Sequence, residues 1–260
     1  MFKFCNLYSG SSGNCSFIKT ENTQILVDCG VSSKKIEEAL SSIGESADNI
    51  NAIIISHEHS DHVKGLATIC KKHNIPIYAN TKTFEKINQN IATENKRSFN
   101  SNEKFEIGDI TVEPFSIPHD AADPCGFNLL SNNEKVSIAT DIGHMESKIL
   151  HKLEGSNLLL LESNYEPDML KSSKYPYMLK KRILGPYGHL SNEDASTTIY
   201  ELIKSGSNNI MLGHLSEHNN FPELAYQTVM TNLISKNIDI DNLKLEVAYR
   251  DKPNSVIDLK

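Results

Sequence analysis

Apolar residues recur along this chain mainly in short runs, many of them rich in β-branched or aromatic residues, which is typical of β-strands. Before residue 100 these runs predict strands at 2–7, 16–19, 24–28, 52–55 and 77–79. Beyond residue 100, short alternating runs separated by turns predict antiparallel strands at 105–107, 110–115, 126–130 and 136–139. Further strands are expected at 157–161, 209–212 and 243–247.

Segments with helical spacing lie between the strands. They predict helices at 33–40, 63–72, 83–89, 146–153, 192–204 and 221–235, and Ser32 and Ser191 are suitable N-caps. The strands first meander and later alternate with helices. We therefore expect an α/β fold of the αββα type, with two mixed β-sheets packed face to face and helices on both outer faces. No repeat or linker interrupts the pattern, so residues 1–260 are expected to form a single domain.

Composition narrows the class of protein. Hydrophobic residues make up 38% of the 260 residues and charged residues 23%, as in ordinary globular domains. The longest apolar runs, such as 158–161, are too short to span a bilayer, and residues 1–10 contain no signal-peptide core. The odd number of cysteines and the absence of a Cys-x-x-Cys pair predict reduced thiols, most of them buried, in a cytoplasmic protein. These cysteines are Cys5, Cys15, Cys29, Cys70 and Cys125.

A dense group of histidines follows the predicted strand 52–55. Residues two apart in an extended segment face the same way, so His57 and His59 can bind one metal ion. Asp61 and His62 lie in the turn before the next helix and can face a second ion. A mixed set of imidazoles and a carboxylate suits zinc best, with manganese or iron as alternatives. The alternative interpretation is a polar loop that happens to contain histidines.

The His-x-His-x-Asp-His pattern after a hydrophobic strand resembles the metal-binding signature of the metallo-β-lactamase fold. The resemblance implies further ligands at later strand ends. His119 would complete the first ion with His57 and His59, and His214 would join Asp61 and His62 on the second. Asp141 would bridge both ions. Two divalent ions outweigh the charge of two carboxylates, so a bridging hydroxide would leave a reactive, positive centre suited to an anionic phosphodiester.

Two residues are candidates for a catalytic role, the metal-ligand candidate Asp61 and His189. His189 precedes a predicted helix and is followed by Leu190 and Ser191, which resembles the His-Ser-Thr motif of the RNase Z-like, tRNA-processing branch. The resemblance implies that His189 protonates or stabilises the leaving oxygen. The alternative is a histidine at a helix start that hydrogen-bonds its own loop.

Longer motifs resemble one subfamily, the YycJ (WalJ)-type exonucleases. The resemblance runs from residue 7 to about 230 and implies a cytoplasmic bacterial 5′-to-3′ DNA exonuclease that serves mismatch repair and uses two zinc or manganese ions. Two positions depart from the pattern, since Tyr165 and His218 stand where we expect a histidine and a glutamate. The motifs that carry the resemblance occupy residues 9–14, 118–124, 161–164, 180–192 and 212–225.

The formal net charge of −7 argues against binding of nucleic acid through a broad, positively charged surface. A local exception lies between Tyr165 and His189, where lysines and one arginine alternate with tyrosines. Lysines can neutralise phosphates and tyrosines can stack on frayed bases. The alternative is a solvated lysine-rich face. The candidate substrate-binding residues are Ser11, Asn14, Lys180, Lys181, Arg182 and Asn219. The first two lie in a Gly/Ser-rich loop that is either a flexible turn or an anion-binding loop.

The main hypothesis is a nuclease that acts on DNA, with RNA as the other possible substrate. Three other function classes are alternatives to it. A thioester or lactam hydrolase on the same fold is the main alternative. The extra His189 and the basic, tyrosine-rich segment argue against it. A flavo-diiron electron carrier would need an appended flavin domain and carboxylates in place of some histidines. A non-catalytic binding module is disfavoured because no metal ligand is missing. The sequence predicts no membrane partner and indicates no oligomeric state.

Overall fold

A computed structural model describes residues 1–259, which form fourteen β-strands and nine α-helices. The strands are β1 Phe2–Tyr8, β2 Cys15–Lys19, β3 Gln24–Val27, β4 Ala52–Ile54, β5 Ile77–Asn80, β6 Lys96–Phe99, β7 Phe105–Ile107, β8 Ile110–Ser116, β9 Cys125–Ser131, β10 Glu134–Ala139, β11 Leu158–Glu162, β12 Asn209–Gly213, β13 Lys244–Val247 and β14 Ile257–Leu259. The helices are α1 Ser33–Ser42, α2 Ser60–Val63, α3 Leu66–His73, α4 Thr81–Lys86, α5 Ser147–Leu153, α6 Pro167–Ser172, α7 Tyr177–Ile183, α8 Asn192–Lys204 and α9 Pro222–Ser235.

The strands belong to two mixed β-sheets accompanied by helices, which confirms the predicted fold class. The chain divides into two compact units. Unit 1 contains Met1–Ser116, Ala121–Glu134 and the described residues from Tyr249 onwards, and unit 2 contains Ile117–Asp120 and Lys135–Ala248. The assignment of the whole chain to one domain stays a prediction.

In unit 1, seven strands form one sheet in the order β14-β1-β2-β3-β4-β5-β6. The strands from β14 to β3 pair antiparallel and those from β3 to β6 pair parallel. Val27 lies opposite Ile54, and Ile54 lies opposite Tyr78. Parallel pairing therefore brings the carboxyl ends of β3, β4 and β5 to one edge, where the polar residues that follow them meet. The antiparallel strands β7, β8 and β9 also lie in unit 1.

In unit 2, β10, β11, β12 and β13 are parallel neighbours. Ala139 lies opposite Leu161, and Glu162 lies opposite Gly213. The residues after β10, β11 and β12 therefore share one sheet edge, as they do in unit 1. Helix α8 begins with a capping box, in which the Ser191 side chain accepts from the Asp194 amide and the Asp194 carboxylate accepts from the Ser191 amide.

Several predicted elements differ from the observed ones. The helix expected at 63–72 is two helices, α2 and α3, joined at Gly65. A Cβ on Gly65 would lie 2.1 Å from the Val31 carbonyl oxygen, so only glycine allows this close approach. The helix expected at 83–89 is α4, which begins and ends earlier. Strands β6 and β14 and helices α6 and α7 were not predicted.

Two expectations about the whole chain can be compared with the structure. All five cysteines are free and buried, as predicted. No helix within residues 1–259 is long and apolar enough to cross a membrane.

Candidate metal centre

The predicted metal motif of unit 1 is organised by Asp28, which directly follows β3. The Asp28 carboxylate accepts hydrogen bonds from the Ser56 amide at 2.9 Å and from the Ser56 hydroxyl at 2.9 Å. It also lies 2.8 Å from His62 Nδ1. A carboxylate only accepts, so His62 carries its proton on Nδ1 and its Nε2 is the atom available to a metal ion. His57 and His62 are both fully buried.

The other ligand atoms of this motif converge. His57 Nδ1 lies 3.0 Å from the Ser56 hydroxyl, and His57 Nε2 lies 3.1 Å from His59 Nδ1. Two ring nitrogens at this distance can bind one ion, as the sequence predicts for His57 and His59. His62 Nε2 lies 3.7 Å from Asp61 Oδ2, the pair expected to bind a second ion.

The Gly/Ser-rich loop at 9–14 lies against this motif. The Asn14 amide donates to the Asp61 carbonyl at 2.8 Å, and its side-chain nitrogen lies 3.1 Å from His62 Nε2. The Asn14 carbonyl accepts from the Gly30 amide at 2.8 Å. A Cβ on Gly30 would lie 1.7 Å from the Asp61 carbonyl oxygen, so the close approach requires glycine. Ser11, the other candidate in this loop, is exposed.

The corresponding group in unit 2 surrounds Glu162, the last residue of β11. Oε1 of this fully buried carboxylate lies 2.9 Å from His189 Nδ1 and 2.7 Å from His214 Nδ1. Its Oε2 accepts from the backbone amides of Ile142 at 2.8 Å and Leu190 at 3.0 Å. Both histidines therefore donate from Nδ1, which leaves Nε2 of each as the atom for an ion or a substrate.

The charge of Glu162 follows from these partners. Burial alone would raise its pKa, but the charge of His189 and the hydrogen bonds from His189 and His214 outweigh that effect. The net result lowers the pKa of Glu162 from 4.5 to about 2. The carboxylate is thus an anion at neutral pH and accepts a hydrogen bond from each of the two imidazoles.

His119 and Asp141 complete the group in unit 2. His119 Nδ1 donates to the Gly188 carbonyl at 3.1 Å. Its Nε2 lies 3.5 Å from an Asp141 carboxylate oxygen and 3.5 Å from Asp120 Oδ1. The His189 ring centroid lies 5.2 Å from that of His119 and 5.3 Å from that of His214.

Three residues of these groups adopt left-handed backbone conformations. The φ angles are 62° for Asp28, 60° for Asp141 and 56° for His214, and each residue follows the end of a strand. This region is uncommon for residues other than glycine and costs conformational energy. The sharp turn that it allows explains how a residue within two positions of a strand end can point its side chain along the sheet edge.

The donor sets fit divalent metal ions. In unit 2 the possible ligand atoms of Asp141, Glu162, His189 and His214 lie within 4.8 Å of one another, and since Glu162 accepts from Nδ1 of both histidines, Asp141 and the Nε2 atoms are the groups left for an ion or a substrate. In unit 1 the His57 and His62 rings are oriented by hydrogen bonds with Ser56 and Asp28, and Asn14 contacts His62 Nε2 and the Asp61 backbone carbonyl. Nitrogen and carboxylate oxygen together are ligands that zinc and manganese accept, and hydrogen-bonded partners that fix the ring tautomers are typical of metal-binding histidines.

The predicted substrate residues in unit 2 lie in different environments. The Lys180 ammonium donates to the Lys171 carbonyl at 2.6 Å. The Arg182 guanidinium pairs with Asp120, with Nη2 lying 2.8 Å from Oδ1. Lys181 is exposed on α7. Asn219 is fully buried, and its side chain donates to the Ser216 hydroxyl.

The two departures from the subfamily pattern also have defined surroundings. Tyr165 is buried with Leu170 and Ile183, and burial raises the pKa of its hydroxyl to about 12. His218 packs edge-on against Tyr175 at a centroid distance of 5.9 Å.

Sequence reasoning did not assign a role to Asp28 or Glu162. The available signal was the one used for Asp141, an acidic residue at the end of an apolar strand. Applied to 24–28 and 157–162, that signal would have found both carboxylates.

Comparisons with known proteins extend these observations. The model of the β-lactamase superfamily domain matches residues 23–206. The exodeoxyribonuclease YycJ of Bacillus anthracis is 37% identical over 240 residues, covering 91% of each chain. The exodeoxyribonuclease WalJ of Streptococcus pneumoniae is 34% identical over 244 residues, covering 92% of this chain and 91% of WalJ. The crystal structure of the metallo-β-lactamase fold protein YhfI from Bacillus subtilis superposes with a TM-score of 0.71 over 98% of this chain and 100% of YhfI, at 14% identity.

Proposed function

Because this chain belongs to the β-lactamase superfamily of hydrolases, we propose that it is a metal-dependent DNA exonuclease that degrades DNA from the 5′ end. The observation that carries the proposal is the placement of His189 between His119 and His214, with its Nδ1 on the anionic Glu162. Similarity over 91% of the chain to a protein named exodeoxyribonuclease supports it.

We propose that two ions, zinc or manganese, are held by the seven residues assigned from the sequence. His57, His59 and His119 would hold one, Asp61, His62 and His214 the other, and Asp141 both. The fixed tautomers of His62, His119 and His214 support this set, because each presents Nε2. When bound, the ions supply Lewis-acid charge to the phosphodiester and lower the pKa of water.

In this proposal His189 acts at the leaving 3′-oxygen. An alkoxide is a poor leaving group unless it is protonated or its negative charge is stabilised by a nearby positive charge. Glu162 holds Nδ1 of His189, which leaves Nε2 as the ring atom that would act on the leaving oxygen, and histidine is a common general acid. His189 is largely buried, with 12% of its side chain exposed, which keeps its orientation defined.

Helix α7 and the turn after it are proposed to contact the nucleic acid. Residues 171–187 contain five basic residues and no acidic residue, in a chain of net charge −7. This concentration of positive charge supports binding to phosphates. We also propose a cytoplasmic location, supported by the five free buried thiols, and a role in mismatch repair.

Incubation of the metal-replete protein with end-labelled linear DNA, circular DNA and RNA tests the proposal. We expect mononucleotide release from 5′-labelled linear DNA at early times, progressive shortening of 3′-labelled DNA whose label is released last, and no cleavage of closed circles. Cleavage of circles would show an endonuclease, and early release of a 3′ label would reverse the polarity. Hydrolysis of a thioester or β-lactam with intact nucleic acids would overturn the proposal in favour of the main alternative.

A further inference from the structure

Tyr187 lies on the surface, two residues before His189. Its exposed fraction is 59%, and among residues 1–259 no hydrogen bond or ring contact involves its side chain. Three nearby residues are also exposed, Tyr177 at 77%, Met178 at 70% and Leu184 at 48%. These four, which we name the stacking face, account for half of the eight large hydrophobic side chains that are exposed in the described chain. Their concentration within residues 177–187 distinguishes this segment from single exposed apolar residues elsewhere in the described chain.

The backbone around Tyr187 is held by the loops that carry the metal-ligand candidates. His144 Nδ1 lies 2.8 Å from the Pro186 carbonyl oxygen, and His119 Nδ1 lies 3.1 Å from the Gly188 carbonyl oxygen. A Cβ on Gly143 would lie 2.2 Å from the Pro186 oxygen and 2.7 Å from the Tyr187 Cα, so the two loops touch closely. Tyr187 is therefore fixed next to the group of His119, Asp141 and His189, while its ring faces solvent.

The fold separates the four tyrosines of this segment into two pairs. Tyr165 is buried, and Tyr175 packs against the same small apolar cluster. Tyr177 and Tyr187 remain exposed. Tyr177, Lys181 and Leu184 occur at spacings of four and three residues, which places them on one side of α7. That side thus combines an aromatic ring, an aliphatic side chain and an exposed ammonium group.

We propose that the stacking face binds the unpaired bases of a single-stranded nucleic-acid end, with Tyr187 stacking on a base next to the phosphodiester that is cleaved. This inference rests on the proposed nuclease function and adds a specificity for unpaired ends. An aromatic ring can stack only on a base whose face is uncovered, and within a duplex both faces are covered by neighbouring pairs. The five basic residues of 171–187, with no acidic residue among them, suit a strand of phosphates, and the exposed tyrosine rings suit the bases that such a strand carries.

Binding measurements on hydrolysis-resistant phosphorothioate DNA test the inference. Tyr187→Ala should weaken the binding of a short fluorescent single strand roughly 5- to 100-fold. Its binding to a closed circular duplex, which has no terminal base pair with a free face, should weaken much less, and Tyr187→Trp should restore most of the single-strand affinity. Tyr249→Ala is the matched control, since Tyr249 is 46% exposed and lies outside this segment. It should leave both affinities unchanged.

Equal losses on single strand and duplex, or no loss, would overturn the stacking role. Self-association that disappears in Tyr187→Ala, with unaltered single-strand binding, would show that the stacking face binds a second copy of the chain instead. Failure of the proposed function gives a different result, because the wild-type protein would then cleave no nucleic acid. A wild type that cleaves single strands while Tyr187→Ala keeps their affinity contradicts only the stacking role.

Discussion

A single buried carboxylate organises each group of candidate ligands. Asp28 receives three hydrogen-bond donors from Ser56 and His62, and Glu162 receives four from two imidazoles and two backbone amides. A buried charge is costly unless its hydrogen-bonding capacity is used, and both carboxylates meet that condition. Each also fixes ring tautomers and so determines which ring nitrogen is left for an ion or a substrate.

Replacing Glu162 tests this organising role. Glu162→Gln introduces a side-chain NH2 group that must face two donors, so it should lower the free energy of unfolding of the metal-free protein by about 1–3 kcal/mol at pH 7. The pKa of Glu162 is lowered to about 2 in the fold, from 4.5. Its stabilisation is therefore present above about pH 4.5 and is lost as the pH falls towards 2.

The difference in unfolding free energy between wild type and Glu162→Gln should shrink accordingly over that pH range. Denaturant titrations at several pH values measure it. Glu246→Gln, an exposed position on β13, is the matched control and should change little at any pH. A gap that stays constant down to pH 2 would contradict the assignment of Glu162 as the buried anion.

His189→Ala addresses the leaving group. The variant should fold and bind both ions, yet cleave DNA about 10²–10⁴-fold more slowly, because no proton meets the departing oxygen. A nitrophenyl phosphodiester has an activated leaving group, so its hydrolysis should fall much less. Rates on both substrates and elemental analysis of the variant provide the measurement. Equal losses on the two substrates, or loss of an ion, would show that His189 has another role, such as that of a metal ligand.

At the scale of secondary structure elements, α7 combines charge with exposed apolar surface. Its basic residues are not equivalent, since Arg182 pairs with Asp120 and Lys180 donates to a backbone carbonyl. Lys181 is exposed, and no ion pair of Lys181 occurs in the described part of the chain. Lys181 is therefore the residue most ready to neutralise a phosphate without first breaking another interaction.

Joint neutralisation of Lys180, Lys181 and Arg182 to glutamine should weaken DNA binding and flatten its salt dependence. The slope of log affinity against log salt should fall by about one unit for each phosphate that the protein no longer neutralises. Lys181→Gln alone should account for most of the change. Affinity measurements across a salt series decide this, with Lys244→Gln on β13 as a control outside the segment. A slope that does not change would favour the solvated lysine-rich face.

Strand periodicity and end-of-strand chemistry made most of this architecture predictable. The run at 52–55 and the histidines after it specified β4 and the ligand motif, and parallel pairing explains why strand-end residues gather. These sequence patterns failed where tertiary contacts determine the bounds or the existence of an element. Gly65 divides a predicted helix because it packs on Val31, and β6 and β14 lie at a sheet edge, where half-exposed residues weaken the apolar pattern.

The Arg182–Asp120 pair joins residues 62 positions apart, so composition alone presented Arg182 as an unengaged cation. The same limit applied to the four tyrosines between 165 and 187, which look alike in sequence. Only the packing of Leu170 and Ile183 shows that Tyr165 belongs to the interior.

At the scale of the whole molecule, acidic residues outnumber basic ones, whereas the proposed cleavage of an anionic phosphodiester requires positive charge at the site. Four carboxylates bring negative charge to the two groups of candidate ligands before any ion binds. They belong to Asp28, Asp61, Asp141 and Glu162. Binding of divalent ions offsets this charge and should stabilise the folded protein, since an ion that binds only the fold raises its stability by mass action.

We therefore expect two equivalents of zinc or manganese per chain and a melting temperature that falls on chelation. With ions at about one hundred times their dissociation constant, each site contributes about 2.7 kcal/mol, so two independent sites together stabilise the fold by about 5 kcal/mol, or roughly 10–20 °C for a chain of this size. Asp61→Ala should lower the metal content below two, shrink the temperature shift and sharply reduce activity. Glu58→Ala is the matched control, because Glu58 lies in the same motif but its carboxylate accepts from the Ala122 amide. It should keep both ions. Less than one equivalent in wild type after metal-replete purification, or equal metal loss in the two variants, would refute the ligand assignment.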